Sequence, residues 1–330
     1  MDLSVVIPTR DRPLLLRDAV QSVASQTGPD REIVIVDDAS EPRVDVAQLQ
    51  SDFGVAIRAF RNEQSFNVCV ARDQGVRASQ GEVILHLDDD DRLADGALEM
   101  AWDVFRRDSA LEVLLLGVRG FGRHADRFND AQERGVRRVL LDAGGEAIGA
   151  GLIKFGEGLF PALLTGVPMA FQRVMVRRKA WDKVSNFRRR IYGDPRLDAA
   201  EDPIFRVPPL WNESEWAIYA SVLCAVGFLD RPLYLQRCAG QGYFSVDYRE
   251  PETVNVRINM MNCLGDATRT TKEFAPWRHL VSEYRGRAYI ERAYCYLREG
   301  DRIGAMKSML RALSISPRSK YLGVFAKFVR

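Results

Sequence analysis

The sequence predicts a doubly wound α/β domain followed by a helical C-terminal region, and three observations support this. Short apolar runs alternate with amphipathic helical segments through the first third of the chain. Several of these runs end on acidic or turn-forming residues, as at the ligand-binding edge of open α/β sheets. Beyond about residue 286 the pattern is helical only. The chain therefore divides into a mixed N-terminal part and a helical remainder.

The composition is that of a globular protein. The 330 residues are 46% hydrophobic and 28% charged, and the net charge of +2 does not indicate a nucleic-acid partner. The five cysteines lack a Cys-x-x-Cys pair, which argues against a disulfide framework or a zinc site and for a reducing compartment. No window approaches about 18 apolar residues, and an apolar strand follows Asp2 directly. We therefore expect a cytoplasmic protein without a signal peptide or transmembrane segment.

The first elements predict a βαβ unit. Leu3–Ile7 is an apolar strand that ends at the turn Pro8-Thr9-Arg10. Pro13 suits the first turn of a helix, and Ile33–Val36 forms a second strand that ends at Asp37-Asp38. Strand, helix and strand in this order are typical of a right-handed crossover between parallel strands.

The alternation continues with less regular spacing. The next expected elements are a strand near 55–60, a helix at 67–78, a strand at 83–87, a helix at 96–106 and a strand at 113–118. Residues 119–158 have poor periodicity and are interpreted as a partly helical excursion or a lid. The later expected elements are a strand at 169–176, a helix at 178–184, a helix at 217–226 and a strand at 228–234, where Pro232 indicates a sheet edge or bulge.

An acidic run, Asp88-Asp89-Asp90-Asp91, directly follows the apolar strand Val83–Leu87. One interpretation is a solvated loop, in which the Asp side chains cap backbone amides. The other is a divalent-metal site, because Mg²⁺ and Mn²⁺ prefer oxygen ligands and would offset the repulsion among the carboxylates. Its position beyond the carboxyl end of a buried strand favours the metal site.

Five motifs occur in order before residue 92. They are Ser4-Val5-Val6-Ile7-Pro8-Thr9-Arg10-Asp11-Arg12, Ile35-Val36-Asp37-Asp38-Ala39-Ser40, Ala71-Arg72-Asp73-Gln74-Gly75, Gly81-Glu82 and Leu87-Asp88-Asp89-Asp90-Asp91. Together they resemble the family 2 glycosyltransferases, an inverting group of the GT-A fold that uses nucleotide sugars. Arg177–Phe187 and Phe228–Arg237 extend the resemblance to about residue 245. It implies a Rossmann-like nucleotide-diphospho-sugar transferase (GT-A) domain at 1–245, including the excursion, and a helical region at 246–330.

The resemblance implies that Asp88, Asp89 and Asp90 correspond to the family's Asp-x-Asp motif. Asp90 would be the direct ligand of Mn²⁺ or Mg²⁺, Asp89 would lie nearer the ribose or sugar, and Asp91 would be structural. A metal on the diphosphate would stabilise the charge that grows on the leaving group. The histidine that often follows the last strand in the family is missing from Arg237–Gln241, so the sequence offers no third ligand there.

Other residues would contact the nucleotide if the resemblance holds. Asp38 matches the acid that contacts a uracil-type base, and Pro8-Thr9-Arg10 would line the same pocket. Arg72 would meet the base or the diphosphate, with an ordinary helix-surface arginine as the alternative. Asp37 is expected to be structural, because adjacent residues of an extended segment point in opposite directions.

An inverting transferase needs a carboxylate that takes the proton from the acceptor hydroxyl. In the family this acid stands at the start of a helix before the last strand. Here Glu215 directly precedes the predicted helix at 217–226, with Ser214 as a cap, whereas Asp202 is followed by helix-breaking prolines. In order of preference, the candidates are Glu215, Asp202, and then Glu213 and Asp194.

The resemblance predicts transfer of a sugar from a nucleotide sugar, most often a UDP-sugar, to a hydroxyl of a bacterial glycan or glycolipid. The alternative is a non-catalytic protein of the same fold that binds a nucleotide sugar or a partner. A sugar-1-phosphate nucleotidyltransferase is disfavoured, because the turn Pro8–Arg12 lacks the glycines that would hold a triphosphate.

The C-terminal pattern resembles the helix–turn–helix of a single tetratricopeptide repeat. One repeat cannot bury its own apolar face, so we expect it to pack on the rest of the chain. Its basic residues indicate either a solvated helix face or peripheral contact with the inner face of the plasma membrane. They are Arg298, Arg302, Lys307, Arg311, Arg318, Lys320, Lys327 and Arg330.

Overall fold

The computed structural model describes five stretches of the chain, residues 1–66, 68–164, 173–192, 209–238 and 251–317. The chain forms two compact units, Met1–Gly242 and Tyr243–Arg330. The first is a mixed α/β unit and the second is helical.

The described residues of the first unit contain ten strands, which form one sheet, and eight helices. The strands are β1 (Leu3–Thr9), β2 (Arg31–Asp37), β3 (Ile57–Arg61), β4 (Val83–His86), β5 (Arg92–Leu93), β6 (Val113–Phe121), β7 (Glu146–Gly149), β8 (Leu152–Lys154), β9 (Val174–Arg177) and β10 (Val226–Arg237). The helices are α1 (Pro13–Ala24), α2 (Val46–Phe53), α3 (Val68–Ala78), α4 (Ala97–Arg107), α5 (Ala125–Ala143), α6 (Leu159–Leu164), α7 (Arg178–Tyr192) and α8 (Pro209–Leu223).

Across the sheet the strands run in the order β3-β2-β1-β4-β9-β6-β10-β8-β7, and β5 pairs with β10. The pairs β1–β2, β1–β4, β2–β3 and β6–β10 are parallel, whereas β9 is antiparallel to both of its neighbours. The chain order of β3, β2, β1 and β4 reverses beside β1. This switch point is where open α/β sheets bind their ligands.

Strand β1 is buried over its whole length, because helices cover both faces of the sheet. On one face, Val20 of α1 and Leu98 of α4 pack in the same apolar cluster as Val5. On the other face α3 lies so close to β1 that a Cβ atom on Gly75 would be 2.4 Å from Val6 Cγ1. The predicted alternation of strands and helices in this region is confirmed.

Helix α2 was not among the predicted elements, although both of its ends carry sequence signals. The Asp45 side chain accepts a hydrogen bond from the Gln48 amide at the N-terminus, and Gly54 takes the left-handed conformation (φ +61°) at the C-terminus. An Asp cap and a glycine stop are typical helix boundaries.

The segment 119–158 is more ordered than its weak periodicity indicated. Strand β6 continues to Phe121, helix α5 follows, and β7 and β8 form an antiparallel hairpin. Strand β8 also pairs with β10, so this part of the segment extends the sheet. Helix α5 agrees with the partly helical character that was predicted, whereas the end of β6 and the hairpin belong to the sheet.

Strand β10 is longer than predicted and lies inside the sheet, between β6 and β8. Its register with β6 shifts on either side of Pro232. The predicted bulge is therefore confirmed, because a bulge accommodates a residue that cannot donate to the ladder.

Helix α8 begins at Pro209 rather than at residue 217. Proline suits the first turn of a helix, because the amide it lacks has no partner within the helix there. Glu213 and Glu215 therefore lie inside this helix, and the prediction of Ser214 as its cap is wrong.

The second unit contains helices α9 (Pro251–Thr270), α10 (Arg278–Arg298) and α11 (Arg302–Ile315), with a 3-10 helix at Ala275–Trp277. Asp301 caps α11 by accepting a hydrogen bond from the Gly304 amide at 2.8 Å. The predicted helical C-terminal region is confirmed, whereas its likeness to a tetratricopeptide repeat stays a prediction. No helix in the described ranges combines the length and apolarity needed to cross a bilayer.

Candidate active site

The acidic run forms a tight turn at the carboxyl end of β4, next to the end of β1. Carboxylate oxygens of Asp88, Asp90 and Asp91 all lie within 4.8 Å of one another. Asp88 and Asp90 are partly exposed, whereas Asp91 is buried. Three carboxylates converging from one turn are the oxygen-rich donor set that Mg²⁺ and Mn²⁺ prefer.

Strand β10 holds Asp91 from the neighbouring part of the sheet. The Tyr234 hydroxyl donates to Asp91 Oδ2 at 2.8 Å, and the Arg237 amide donates to Asp91 Oδ1 at 2.7 Å. The Tyr234 oxygen in turn accepts a hydrogen bond from the Asp88 amide at 3.2 Å. Asp91 has the structural role that the sequence predicted, and one of its oxygens still belongs to the acidic cluster.

Arg72 of α3 is 2% exposed and pairs with Asp88 Oδ1. The interpretation of Arg72 as an ordinary helix-surface arginine is therefore wrong. A guanidinium has a fixed charge, so Arg72 offsets part of the negative charge of the turn from its buried side.

Asp89 is not a member of the cluster of three. It accepts hydrogen bonds from the Thr9 hydroxyl at 2.7 Å and from Arg12 Nη1 at 3.1 Å. Arg12 also reaches Asp90 Oδ2 at 3.3 Å. Asp89 thus connects the acidic turn to the end of β1, and the positive charge of Arg12 lies beside Asp89 and Asp90.

Three carboxylates of the turn, those of Asp89, Asp90 and Asp91, have raised pKa values. Burial raises the pKa of Asp89 to about 6. Burial first, and the charge of Asp88 second, also raise the pKa of Asp90 and of Asp91. A bound divalent cation would favour the ionised carboxylates. The donor chemistry of Asp88, Asp90 and Asp91 therefore fits a hard cation.

Asp38 and Asp37 lie at the end of β2 and both are buried. Asp38 accepts hydrogen bonds from Asn62 Nδ2 at 2.8 Å, from the Ser65 hydroxyl at 2.7 Å and from the Phe66 amide at 3.2 Å. These bonds fix the segment after β3 beside the end of β2.

The Asp37 carboxylate is buried and holds the chain that follows β2. It accepts from the Ser40 amide at 2.8 Å, from the Val44 amide at 3.3 Å and from Arg61 at 3.0 Å. This is the structural role that the alternation of side chains predicted. Among the other predicted residues, Pro8 and Thr9 are buried at the end of β1, and Arg10 is exposed beyond them.

Glu215 is 1% exposed and forms an ion pair with Arg188 Nη2 at 3.3 Å. The next residue, Trp216, stacks on Trp181 with 5.5 Å between the ring centroids. The Trp181 ring in turn lies 4.9 Å, centroid to centroid, from the ring of His86 in β4. Glu215 is thus part of the packing between α7, α8 and the sheet. A general base must reach the acceptor hydroxyl, and this burial argues against that role.

The other candidate bases have no described side-chain geometry. Asp202 and Asp194 lie outside the described residues, and Glu213 lies in α8 where its side chain is not described. By contrast, Arg12, Tyr234 and Arg237 bind the acidic turn but were not among the predicted site residues. All three stand inside stretches that carried the resemblance, which was the signal available for finding them.

Residues 4–146 match a protein-family model described as glycosyl transferase family 2. Among curated proteins, an uncharacterized glycosyltransferase of Haemophilus influenzae is 35% identical over 89 residues, which cover 27% of this chain and 29% of that protein. A Campylobacter jejuni GalNAc(5)-diNAcBac-PP-undecaprenol beta-1,3-glucosyltransferase is 38% identical over 101 residues, covering 29% of this chain and 32% of that protein. The chain thus spans about a third of the length of these curated relatives.

Solved structures of TarS from S. aureus share the fold. The fragment 1–349 in complex with UDP-GlcNAc superposes with a TM-score of 0.57 at 15% identity, covering 96% of this chain and 82% of that one. A longer TarS structure gives a TM-score of 0.60 at 13% identity, covering 97% and 50%. At sequence identities this low, the superpositions show a common fold and nothing further.

The sheet with its acidic turn and the TarS likeness define an α/β domain of the GT-A kind, as predicted. The family model adds a narrower likeness. Residues 4–146 are similar to the family 2 glycosyltransferases, and the curated relatives are named glycosyltransferases, which confirms the resemblance first seen in the motifs.

Proposed function

We propose that the protein transfers a sugar from a nucleotide sugar, with a UDP-sugar as the expected donor, to a hydroxyl of a glycan or glycolipid. Inversion at the anomeric carbon and assistance by Mn²⁺ or Mg²⁺ are parts of this proposal. The observation that carries it is the cluster of Asp88, Asp90 and Asp91 at the sheet's switch point. A TarS fragment of the same fold was solved in complex with UDP-GlcNAc, which supports a donor of this class.

Asp88 and Asp90, the partly exposed members of the cluster, would hold the metal, with Asp90 as the principal ligand. When bound, the metal would neutralise charge on the diphosphate leaving group. Arg12 lies 3.3 Å from Asp90 and is about half exposed, so it can exchange part of its carboxylate contact for a phosphate oxygen. Its planar guanidinium suits that contact.

The nucleoside would lie between the ends of β1 and β2. Asp38, Pro8-Thr9-Arg10 and Arg72 remain the proposed donor-side residues, and Asp89 would lie toward the ribose or sugar. Asp38 already fixes the backbone at Phe66 through a hydrogen bond. We therefore propose that it shapes the base pocket as well as contacting the base.

The general base is proposed to be a carboxylate of the chain between α7 and α8 or of α8 itself. Glu215 and Asp202 are both carried forward, and the burial of Glu215 beside Arg188 favours Asp202. Asp202→Asn is then expected to abolish transfer while leaving nucleotide affinity unchanged, because the base acts on the acceptor. Glu215→Gln is expected to lower the stability of the protein, and it is not expected to abolish transfer while leaving nucleotide affinity unchanged.

The acceptor is proposed to be a bacterial glycan or a lipid-linked glycan, reached from the cytoplasm. The Campylobacter relative is named for an undecaprenol-linked acceptor. TarP of Staphylococcus aureus, 30% identical over 125 residues, is named for a poly(ribitol-phosphate) acceptor. Both names describe hydroxyl-rich polymers or lipid-linked glycans, and we propose an acceptor of this chemical class.

The test is nucleotide release from a panel of UDP-, GDP- and dTDP-sugars, with and without Mn²⁺. We expect release from at least one donor, dependence on the metal, and loss in Asp90→Ala. Asp103→Ala, which removes a helix-surface carboxylate of α4, is the matched control and is expected to retain activity. Donor binding without release in the presence of candidate acceptors would favour the non-catalytic alternative. Release that ignores both the metal and Asp90 would contradict the proposal.

A further inference from the structure

Helix α11 exposes an apolar stripe to solvent. Ile303, Met306 and Leu310 are 63%, 47% and 53% exposed. Their spacing of three and four residues places them on one face of the helix. The opposite face is buried in the core of the second unit, through Ala305, Ser308, Met309 and Ala312. The stripe is thus an outward face, which the core of its own unit does not cover.

Basic side chains flank this stripe. Lys307 and Arg311 follow Ile303 by four and eight residues and therefore lie along one side of it, whereas Arg302 lies on the other side. All three are exposed. Helix α11 itself contains no acidic residue. An apolar centre between basic borders is the arrangement of helices that lie in the plane of a membrane surface.

The sequence continues the same charge pattern beyond α11. Residues 302–330 contain no aspartate or glutamate and seven basic residues, Arg302, Lys307, Arg311, Arg318, Lys320, Lys327 and Arg330. The whole chain is nearly neutral, with a net charge of +2. The positive charge is therefore concentrated in the part of the chain that bears the exposed stripe.

We propose that α11 binds the surface of an anionic lipid bilayer. Ile303, Met306 and Leu310 enter the boundary between headgroups and acyl chains, and the flanking basic residues contact lipid phosphates. Charge complementarity and the apolar centre together select this partner. A nucleic acid would leave the stripe in water, and a second copy of α11 would bring like charges together. The proposal concerns binding alone and does not depend on the transfer reaction.

The test is flotation of the full chain with vesicles of phosphatidylglycerol and phosphatidylcholine in equal parts, compared with phosphatidylcholine alone. We expect binding to the anionic vesicles that falls as salt is added. Ile303→Ser combined with Leu310→Ser is expected to lower the partition coefficient at least about tenfold, because burying an apolar side chain supplies much of the binding free energy. Lys307→Gln combined with Arg311→Gln is expected to lower it about tenfold or more.

Met100→Ser is the matched control for the apolar changes, because Met100 is 42% exposed on α4 in the first unit. It is expected to leave vesicle binding unchanged. All the altered side chains are exposed, and circular dichroism would confirm that the variants fold. Absence of binding to anionic vesicles would overturn the proposal. Vesicle binding that is unchanged by the Ile303 and Leu310 substitutions would also overturn it. The proposal would fail as well if the variants showed that the stripe joins two copies of the chain.

Discussion

Arg237 shows how one residue connects the acidic turn to the rest of the sheet. Its amide donates to Asp91, its Nε donates to the Asp90 carbonyl oxygen at 2.9 Å, and its Nη2 pairs with Asp18 at 3.3 Å. The guanidinium also lies 4.7 Å from the ring centre of Phe121. These contacts hold the backbone of the proposed metal site from β10.

Replacing Arg237 with alanine is therefore expected to weaken the affinity for Mn²⁺ about tenfold or more, as outer-shell changes commonly do. Arg92→Ala is the matched control, because Arg92 also pairs with Asp18 and lies over Phe121. Its described hydrogen bond goes to Asp18 rather than to the acidic turn. Equal losses of Mn²⁺ affinity in both variants would contradict a specific role for Arg237.

Tyr234 supplies the only described side-chain hydroxyl that donates to Asp91, at 2.8 Å. Tyr234→Phe keeps the ring but leaves the buried Asp91 Oδ2 without that donor. We expect the free energy of unfolding to fall by about 1–3 kcal/mol, measured by urea denaturation at neutral pH without metal. An unchanged denaturation midpoint would show that water or a rearranged turn replaces the hydroxyl.

Asp37 gives a prediction about pH. Burial alone would raise the pKa of Asp37, but hydrogen bonds from Ser40, Val44 and Arg61 outweigh it and lower the pKa below its ordinary value of 3.8. The ionised form is thus favoured by folding, so its contribution is present above about pH 4 and is lost as pH falls through the lowered value. Asp37→Asn should reduce the free energy of unfolding by about 1–3 kcal/mol at pH 7. The difference should shrink on acidification, and a difference that grows toward low pH would contradict the assignment.

At the scale of elements, the close approach of α3 and β1 brings Arg72 and the acidic turn together. Gly75 permits this approach, because an added Cβ would lie 2.4 Å from Val6 Cγ1. Arg72 stands on the same helix three residues earlier and reaches Asp88. The packing of this helix therefore sets the position of one charge in the site.

Gly75→Ala is expected to destabilise the protein by about 1–3 kcal/mol through overpacking. Gly265→Ala in α9 is the matched control, since the nearest neighbour of an added Cβ would be a side-chain atom, Arg285 Nη1, at 3.1 Å rather than 2.4 Å. Alanine also favours a helix over glycine, so that variant should be neutral or slightly stabilising. Thermal unfolding of both variants checks this, and similar losses in both would contradict overpacking against β1 as the cause.

The position of an acid at a strand end can be predicted from a single sequence, whereas its side-chain contacts cannot. The acids at the ends of β2 and β4 were found because parallel strands present their carboxyl ends at one edge of the sheet. The separation of Asp89 from Asp88, Asp90 and Asp91 could not be found, because it depends on the contacts of Thr9 and Arg12. These contacts join parts of the chain about 80 residues apart.

The start of α8 was misplaced for a different reason. Proline was taken as an interruption, although Pro209 opens the helix. That error put Glu215 at a helix start, where the family carries its base, whereas the structure places it in a buried pair with Arg188. Its burial depends on aromatic packing between α7 and α8, which has no short-range sequence signature.

For the whole molecule, the two units carry different proposals. The unit Met1–Gly242 holds the carboxylate cluster and the family 2 match, and the unit Tyr243–Arg330 holds the exposed stripe of α11. The proposed donor site and the proposed membrane-binding stripe can therefore be tested independently. The proposal for the first unit is that Asp88 and Asp90 of this cluster hold a divalent cation together with a nucleotide.

The most direct test is a titration with Mn²⁺ in the presence of UDP, following free Mn²⁺ by electron paramagnetic resonance. We expect saturable Mn²⁺ binding that UDP strengthens, that is lost in Asp90→Ala and Asp88→Asn, and that is retained in the control Asp103→Ala. Absence of Mn²⁺ binding in the unaltered protein, or Mn²⁺ binding that is unchanged in Asp90→Ala, would contradict a metal site at the acidic turn.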